Sequence, residues 1–444
     1  MTPDSVRSTS APPTLSVVVT ARNDDHGGSL LRRMQIFIDG WIEQSRRHRL
    51  DSELIIVEWN PPADRAPLAK ILQWPHDSGA CRIRIITVPP GVHHRFRHAD
   101  RLPLFQMMAK NVGVRRAHGR FVLCTNVDLL FSDDLVRFLA SGRLQPYTLY
   151  RIDRRDVPAS VPVGVPLAQQ LSYCARHVVR INTRWGTFRT NRWGALSLPP
   201  ALWMVWVWGS RAFRIALHKG WSRTLAIARR VVALLSSDGR EPRRGRFGRL
   251  LARLRSRIPR RWEEIPRYFL ESARRLGGAI ASQLLILGAS VERLRLKRAH
   301  TNACGDFTLL SRDWWHRLRG YPEAEMFSLH LDSVLCHTAV ISGAREVVLA
   351  GRKRLYHIEH GAGWSLGEGE RLVARVRSLG VPVLDFASYE RWIDGMRRDP
   401  SARIVNREHW GLALEELSET DPTKGAAEQL MANGFSPPGR SGSS

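Results

Sequence analysis

The chain of 444 residues has only five cysteines and six lysines. It also lacks Cys-x-x-Cys spacing, an apolar run in its first ten residues and an internal repeat. Its five cysteines are scattered, and no two have the spacing Cys-x-x-Cys. This disfavours a disulfide framework and a zinc site, and it predicts small buried side chains in a reducing compartment. The first ten residues contain no apolar run, so we expect no secretory signal.

Positive charge is in excess, and one segment holds most of it. The chain has 68 Lys+Arg against 41 Asp+Glu, a net +27, and only six of the 68 are lysine. Residues 159–300 carry 28 basic and six acidic residues together with seven of the 15 tryptophans. Three interpretations stay open: contact with an anionic membrane surface, a surface or partner helix enriched in arginine by codon bias, and nucleic-acid binding. Nucleic acid is disfavoured because no known module is recognisable.

Apolar, β-branched runs alternate with helical periodicity over the first 150 residues. This alternation predicts a mostly parallel sheet with helices on both faces. The predicted strands are 15–20, 53–59, 81–88 and 120–124, and the main helices between them are 29–49 and 103–117.

Polar residues follow three of these strands at the point where each ends. They lie at 22–25, 58–60 and 126–128. In a parallel sheet the ligand binds at the carboxyl ends of the strands. We therefore expect these segments, distant in sequence, to converge on one crevice.

Four segments carry a resemblance to a known family. In chain order they read LSVVVTARND, IIVEWNPP, AKNVGVRRAHGRFVLCTNVDLLFSDDL and HLD. Together they resemble an inverting, family 2-like glycosyltransferase of the GT-A fold, over about 15–150 and 301–412. The resemblance implies an α/β fold with a GT-A-type (Rossmann-like), mostly parallel sheet flanked by helices. It also implies hexosyltransferase-like transfer of a sugar from a nucleotide diphosphate sugar to an acceptor hydroxyl, with Mn²⁺ or Mg²⁺.

The resemblance leaves a large basic helical insertion unmatched and so divides the chain. The predicted parts are a disordered N-terminus (1–14), a nucleotide-sugar-binding half (15–155), a basic Trp/Arg-rich helical insertion (156–300), an acceptor-binding half with C-terminal helices (301–419), and a disordered tail (420–444).

Six residues are assigned to the sugar-nucleotide site by the resemblance. In that site Glu58 accepts a hydrogen bond from the base and Arg22 pairs with phosphate. Asp306 contacts the donor or acceptor sugar, or is only a turn residue. The six are Arg22, Asn23, Glu58, Lys110, Asn126 and Asp306.

The metal-binding motif departs from the family pattern Asp-x-Asp. Asn126 stands where the first acid belongs, so Asp128 is the main predicted protein ligand. Mg²⁺ and Mn²⁺ take oxygen ligands, and substrate phosphates fill part of their coordination shell. The resemblance adds a late histidine, His357 or His360, with His357 preferred. A purely structural role for both histidines is the alternative.

Asp332 is the predicted general base. Inversion requires a carboxylate that takes the proton of the acceptor hydroxyl as it attacks the anomeric carbon. The family pair is Glu-Asp, whereas His330 and Leu331 precede Asp332 here. A helix N-cap is the alternative role for this aspartate.

Three hypotheses about the whole protein remain open at this stage. The first is an enzyme that acts on a glycan or a lipid-linked acceptor, in polysaccharide or glycolipid synthesis. The second is a non-catalytic binding or scaffold protein, which the change at residue 126 supports. The third makes the basic insertion the functional part, through membrane or nucleic acid. We expect a cytoplasmic protein, and the membrane interpretation adds peripheral contact at the inner membrane face.

Overall fold

A computed structural model describes residues 11–190, 299–361 and 368–424, and they form an α/β fold with a large central sheet flanked by helices. The predicted α/β class is confirmed at this level. The predicted strands and main helices of the first 124 residues are all found, with ends that differ by at most three residues.

The strands, in chain order, are β1 (Leu15–Ala21), β2 (Ser52–Trp59), β3 (Cys81–Val88), β4 (Phe121–Cys124), β5 (Leu129–Phe131), β6 (Thr148–Ile152), β7 (Arg154–Val157), β8 (Arg180–Thr183), β9 (Gly186–Arg189), β10 (Thr308–Ser311), β11 (Arg345–Leu349), β12 (Leu355–Ile358) and β13 (Ser418–Thr420). The helices are α1 (Leu30–Arg47), α2 (Leu68–Ile71), α3 (Pro90–His93), α4 (Gln106–Arg115), α5 (Asp133–Ala140), α6 (Leu167–Arg176), α7 (Arg312–Leu318), α8 (Leu331–Ile341), α9 (Glu368–Ser378) and α10 (Phe386–Arg398). Short 3-10 turns occupy Cys304–Asp306 and Pro400–Arg403.

The central sheet has eight strands in the order β11-β6-β10-β4-β1-β2-β3-β13. Its middle strands β4, β1, β2 and β3 are parallel, as predicted. Strands β10 and β13 run antiparallel to their neighbours, so the whole sheet is mixed. All residues of β1 and β2 are buried because helices cover both faces of the sheet.

Side chains from alternate positions of β1 and β2 divide between two apolar cores. One core lies under α4, α7, α8 and α10, and the other lies under α1 and α5. Gly113 brings α4 close to the sheet, since a Cβ there would lie 2.5 Å from Val18 Cγ1. The five cysteines are free and buried, which confirms the role predicted for them.

A second sheet has five strands in the order β5-β12-β7-β8-β9. It corrects one predicted boundary, because residues 156–190 were assigned to the helical insertion. They supply the second half of β7, all of β8 and β9, and helix α6 to this core. The strand pattern was obscured because charged residues on β7 and β8 are buried and pair with one another. Residues 191–298, the rest of the predicted insertion, lie outside the described residues.

The predicted disordered ends lie mostly outside the described residues, at 1–10 and 425–444. Pro13 and Thr14 already form backbone hydrogen bonds with Arg120, Asp51 and Phe121. Strand β13 at the other end pairs with β3. Within the described ranges, a search for helices with the length and hydropathy of a bilayer span found none.

Candidate active site

Asp128, His357 and His360 form a cluster where β4 leads into β5. Strand β12 pairs with β5, and the Ile358 N–H donates to the Asp128 carbonyl at 2.9 Å, which brings the distant histidines to the aspartate. Asp128 Oδ2 lies 3.2 Å from His360 Nε2 and 3.6 Å from His357 Nε2. One ligand atom of each residue lies within 4.8 Å of the others. The three residues predicted as metal ligands are therefore brought together.

The protonation states of Asp128 and His357 depend on each other. Burial alone would raise the pKa of Asp128, but His357 and His360 hold the pKa well below its usual value. Burial and Arg154 oppose protonation of His357, but the carboxylates of Asp128 and Asp156 raise its pKa to about 9. A proton on His357 thus supplies the positive charge that the buried carboxylates require. A divalent cation at this position would displace that proton.

The donor set fits a divalent cation. Asp128 Oδ1 is buried and has no hydrogen-bond partner among the described residues. Such an oxygen costs about 1–3 kcal/mol unless a ligand satisfies it. One carboxylate and two imidazoles are a combination that binds first-row divalent metals.

The loop after β1 packs directly against this cluster. Gly27 has a φ of +72°, and a Cβ there would lie only 2.3 Å from His360 Nδ1. The Gly361 N–H donates to the Gly27 carbonyl at 3.1 Å, and the His26 ring meets the His360 ring edge-on. The contact therefore requires glycine at position 27.

Charged residues that were not predicted from the sequence lie beside the Nδ1 atom of His357. Asp156 on β7 lies with Oδ1 3.3 Å from His357 Nδ1. Its Oδ2 accepts from Arg180 Nε at 3.0 Å and from Asn182 Nδ2 at 3.1 Å. Arg154 Nε lies 2.8 Å from Asp156 Oδ1. The signal available was Arg and Asp at alternate positions of 154–156, which puts both on one face of a strand.

The predicted donor-site residues Lys110, Asn126 and Asp306 form a continuous network. Arg154 Nη1 pairs with Asp306 Oδ2 at 2.7 Å, and Asn126 Nδ2 donates to Asp306 Oδ1 at 2.6 Å. Lys110 Nζ donates to Asn126 Oδ1 at 2.9 Å and to the Gly305 carbonyl at 2.7 Å. Burial lowers the pKa of Lys110, whose side chain is completely enclosed. This network links the cluster of Asp128, His357 and His360 to the 3-10 turn at Cys304–Asp306.

Asp332 lies at the other end of the network, in the first turn of α8. Its Oδ1 accepts from the Ser333 N–H at 2.7 Å, and a Cβ on Gly305 would lie 3.0 Å from its Oδ2. The same Cβ position is 4.0 Å from Lys110 Nζ, so lysine and aspartate both border Gly305. The N-cap of α8 is His330, with φ 66°, so the N-cap role considered for Asp332 is wrong.

The remaining predicted residues lie at the ends of β1 and β2 and organise the segment 60–68. Arg22 Nε donates to the Asn60 carbonyl at 2.7 Å, and Asn23 Nδ2 donates to the Ala66 carbonyl at 2.8 Å. Glu58 Oε1 accepts from the Leu68 N–H at 2.9 Å, and burial raises the pKa of Glu58. The three residues lie in one region, and each of their side chains bonds to the backbone of segment 60–68.

Comparisons with known proteins give limited similarity. No protein-family model and no curated protein matches the chain. Two crystal structures of S. aureus TarS residues 1–349 are similar to it, one of them in complex with UDP-GlcNAc. Both are 14% identical and cover 34% of this chain, with TM-scores of 0.22 and 0.23. The chain spans 37% and 38% of the length of these neighbours, and at this TM-score the likeness assigns no function to it.

Proposed function

We propose that the protein is an inverting glycosyltransferase of GT-A type that moves a sugar from a nucleotide diphosphate sugar to an acceptor hydroxyl. One observation carries the proposal. Asp128, His357 and His360, with ligand atoms within 4.8 Å of one another, stand at one end of a buried polar network, and Asp332 borders Gly305 at its other end. A transferase of this class needs a cation beside the leaving diphosphate and a base beside the acceptor.

In this proposal Asp128, His357 and His360 hold a divalent ion. Two imidazoles favour Mn²⁺ over Mg²⁺, which prefers an all-oxygen shell. When bound, the ion neutralises negative charge that develops on the leaving diphosphate. In this proposal Asn126 serves the network and not the ion, since its Oδ1 accepts from Lys110 and Gln106 and its Nδ2 donates to Asp306. The amide thus joins the two halves of the site in place of the first acid of Asp-x-Asp.

Asp332 takes the proton of the acceptor hydroxyl in the proposed step. The acceptor oxygen forms a bond to the anomeric carbon as the bond from that carbon to the diphosphate oxygen breaks. The proton passes to Asp332 Oδ2, which borders Gly305, while Oδ1 stays fixed by the Ser333 N–H. The nucleotide lies along segment 60–68, which Arg22, Asn23 and Glu58 organise.

A donor screen by thermal unfolding tests the proposal. Purified protein is scanned with a panel of nucleotide diphosphate sugars, UDP-GlcNAc included, with Mn²⁺ and with EDTA. A ligand at 100 times its Kd stabilises by about 2.7 kcal/mol. We expect one donor to raise Tm with Mn²⁺ and to do so much less with EDTA. If no donor raises Tm and calorimetry detects no nucleotide binding, the proposal is wrong.

An Asp332→Asn variant separates donor binding from the transfer step. We expect it to keep the donor-induced rise in Tm and to lose transfer to the acceptor, because only the base is removed. Loss of donor binding in this variant, with the fold intact by circular dichroism, would contradict the assigned role.

A further inference from the structure

The two ring nitrogens of His357 face two different carboxylates. Nε2 lies 3.6 Å from Asp128 Oδ2, and Nδ1 lies 3.3 Å from Asp156 Oδ1. A neutral imidazole that binds a cation through one nitrogen carries its proton on the other. The neighbour of the second nitrogen therefore determines which nitrogen is free to bind.

Asp156 is held rigidly enough to act as that neighbour. Its side chain is completely buried, and two arginines and Asn182 contact it. Arg154 also pairs with Asp306, and Arg180 also pairs with Glu359. Each positive group thus lies between two acids, which keeps Asp156 charged and immobile.

His360 provides an internal contrast. Its Nε2 also faces Asp128, but its Nδ1 lies against Gly27. Neither Nδ1 has a well-directed hydrogen bond among the described residues, but that of His357 lies 3.3 Å from Asp156 Oδ1. The orientation of His360 therefore comes from packing, whereas a carboxylate is available to orient His357.

We propose that Asp156 is a positioning residue, which fixes the tautomer and the ring orientation of His357 so that Nε2 binds the divalent cation. The inference rests on the cation site of the proposed function. Asp156 itself does not touch substrate or cation. Its effect on catalysis is exerted through the imidazole.

Mn²⁺ affinity measured by electron paramagnetic resonance tests the inference without an activity assay. Loss of a carboxylate that orients a metal-binding histidine typically weakens metal affinity about 10–100-fold. We expect a loss in this range for Asp156→Asn and partial recovery for Asp156→Glu. Glu53→Gln is the matched control, because Glu53 is also buried and paired with arginine but lies near the amino ends of β1 and β2. It should leave Mn²⁺ affinity unchanged.

The ¹⁵N chemical shifts of the histidine rings provide a second measurement. We expect Asp156→Asn to change the tautomer signature of His357 and to leave that of His360 unchanged. A purely structural role of Asp156 would disturb both rings or neither. The His357 signal is identified by its loss in His357→Gln.

Three outcomes are decisive. If the wild-type chain does not bind Mn²⁺, the cation site and this inference both fail. If Asp156→Asn binds Mn²⁺ as tightly as the wild type, only this inference fails. If Asp156→Asn does not fold, Asn182→Ala decides, since it keeps the carboxylate and removes one of its donors. Its Mn²⁺ affinity should then fall by a smaller factor, and an unchanged affinity overturns the inference.

Discussion

Glu53 lies at the amino ends of the central strands, here called the amino edge, and Asp128 lies beyond their carboxyl ends, at the carboxyl edge, where Asp156, His357 and His360 join it. Both edges bury acids with basic partners, but Glu53 has hydrogen bonds to both carboxylate oxygens, whereas Asp128 and Asp156 each have one oxygen without a hydrogen bond among the described residues. At the amino edge, Glu53 Oε1 accepts from Ser16 Oγ at 2.5 Å and from the His118 N–H at 2.6 Å. Glu53 Oε2 accepts from Arg84 Nη1 at 2.8 Å. Both carboxylate oxygens are thus satisfied by the protein itself, as is typical of a structural ion pair.

The carboxyl edge also pairs acids with basic residues, but several of their polar atoms are left without a hydrogen bond. Asp128 Oδ1, Asp156 Oδ1 and the Nδ1 atoms of both histidines are buried without a well-directed hydrogen bond among the described residues. Unsatisfied buried groups are costly, so four such atoms around one cluster indicate a place for a ligand. Completeness of bonding, more than charge, distinguishes the stabilising edge from the candidate active site.

Asp128→Asn should have the largest effect on the carboxyl edge. It removes the anionic ligand, and a cation contact of this kind contributes several kcal/mol. We expect Mn²⁺ affinity to fall at least about 100-fold, or about 2.7 kcal/mol, by electron paramagnetic resonance. Asp77→Asn is the control, since Asp77 is exposed and accepts only from the Gly79 N–H in its own turn. Equal Mn²⁺ affinity of the Asp128→Asn variant and the wild type would remove the distinction between the edges.

Glu53→Gln should lower stability at the amino edge without a change in Mn²⁺ affinity. Removing one member of a buried pair costs several kcal/mol, but Arg84 keeps Glu419 as a second partner. We therefore expect a loss of about 2 kcal/mol in urea unfolding. A weaker Mn²⁺ affinity in the folded variant would show that the two edges are coupled.

The pH dependence of that stability difference has a defined sign. Burial opposes ionisation of Glu53, but Ser16, the His118 N–H and Arg84 hold its pKa below the usual 4.5. The contribution of Glu53 is therefore complete above pH 4.5 and is lost as pH falls through the folded-state pKa. Urea unfolding of wild type and Glu53→Gln, from neutral pH downward, should show their difference shrinking below 4.5. A constant difference would contradict the ion-pair interpretation.

Gly305→Ala should reduce kcat with little loss of stability. The new Cβ presses on Asp332 Oδ2 at 3.0 Å, and the backbone at Gly305 does not need a left-handed conformation. A small displacement of the base should lower kcat about tenfold, equal to about 1.4 kcal/mol, at unchanged Mn²⁺ affinity. Gly395→Ala on α10 is the control, because a Cβ there meets nothing within 4 Å. Full activity of Gly305→Ala would count against Asp332 as the base.

Arg137→Ala on α5 should have the smallest effect. Its side chain is 59% exposed, and its guanidinium pairs with Asp133 and Asp134 at helical spacing. Exposed pairs of this kind contribute roughly 0.3–0.5 kcal/mol because water and salt screen them. We expect urea unfolding to shift by no more than this amount. A loss comparable with that of Glu53→Gln would show that burial is not what separates strong pairs from weak ones here.

Much of the fold and part of the candidate site could be predicted from the sequence. The strands around β1 were predictable because buried parallel strands are almost continuous apolar runs. Asp128 was predictable because a polar residue after such a run lies at the ligand-binding edge. Asp156 was not, because three of the four residues of β7 are charged, so the strand has no apolar pattern, and its partner Arg180 is recognisable only once β7 and β8 are paired.

The sequence by itself determined the parallel centre of the sheet, the burial of the cysteines and the position of Asp128, because hydrophobic periodicity is a local property of the chain. Only the tertiary structure decided which histidine nitrogen faces which acid, that Asn126 bridges Lys110 and Asp306, and that residues 156–190 belong to the core. These features depend on pairings between residues far apart in sequence. The geometry of such pairings exists only after the strands have docked.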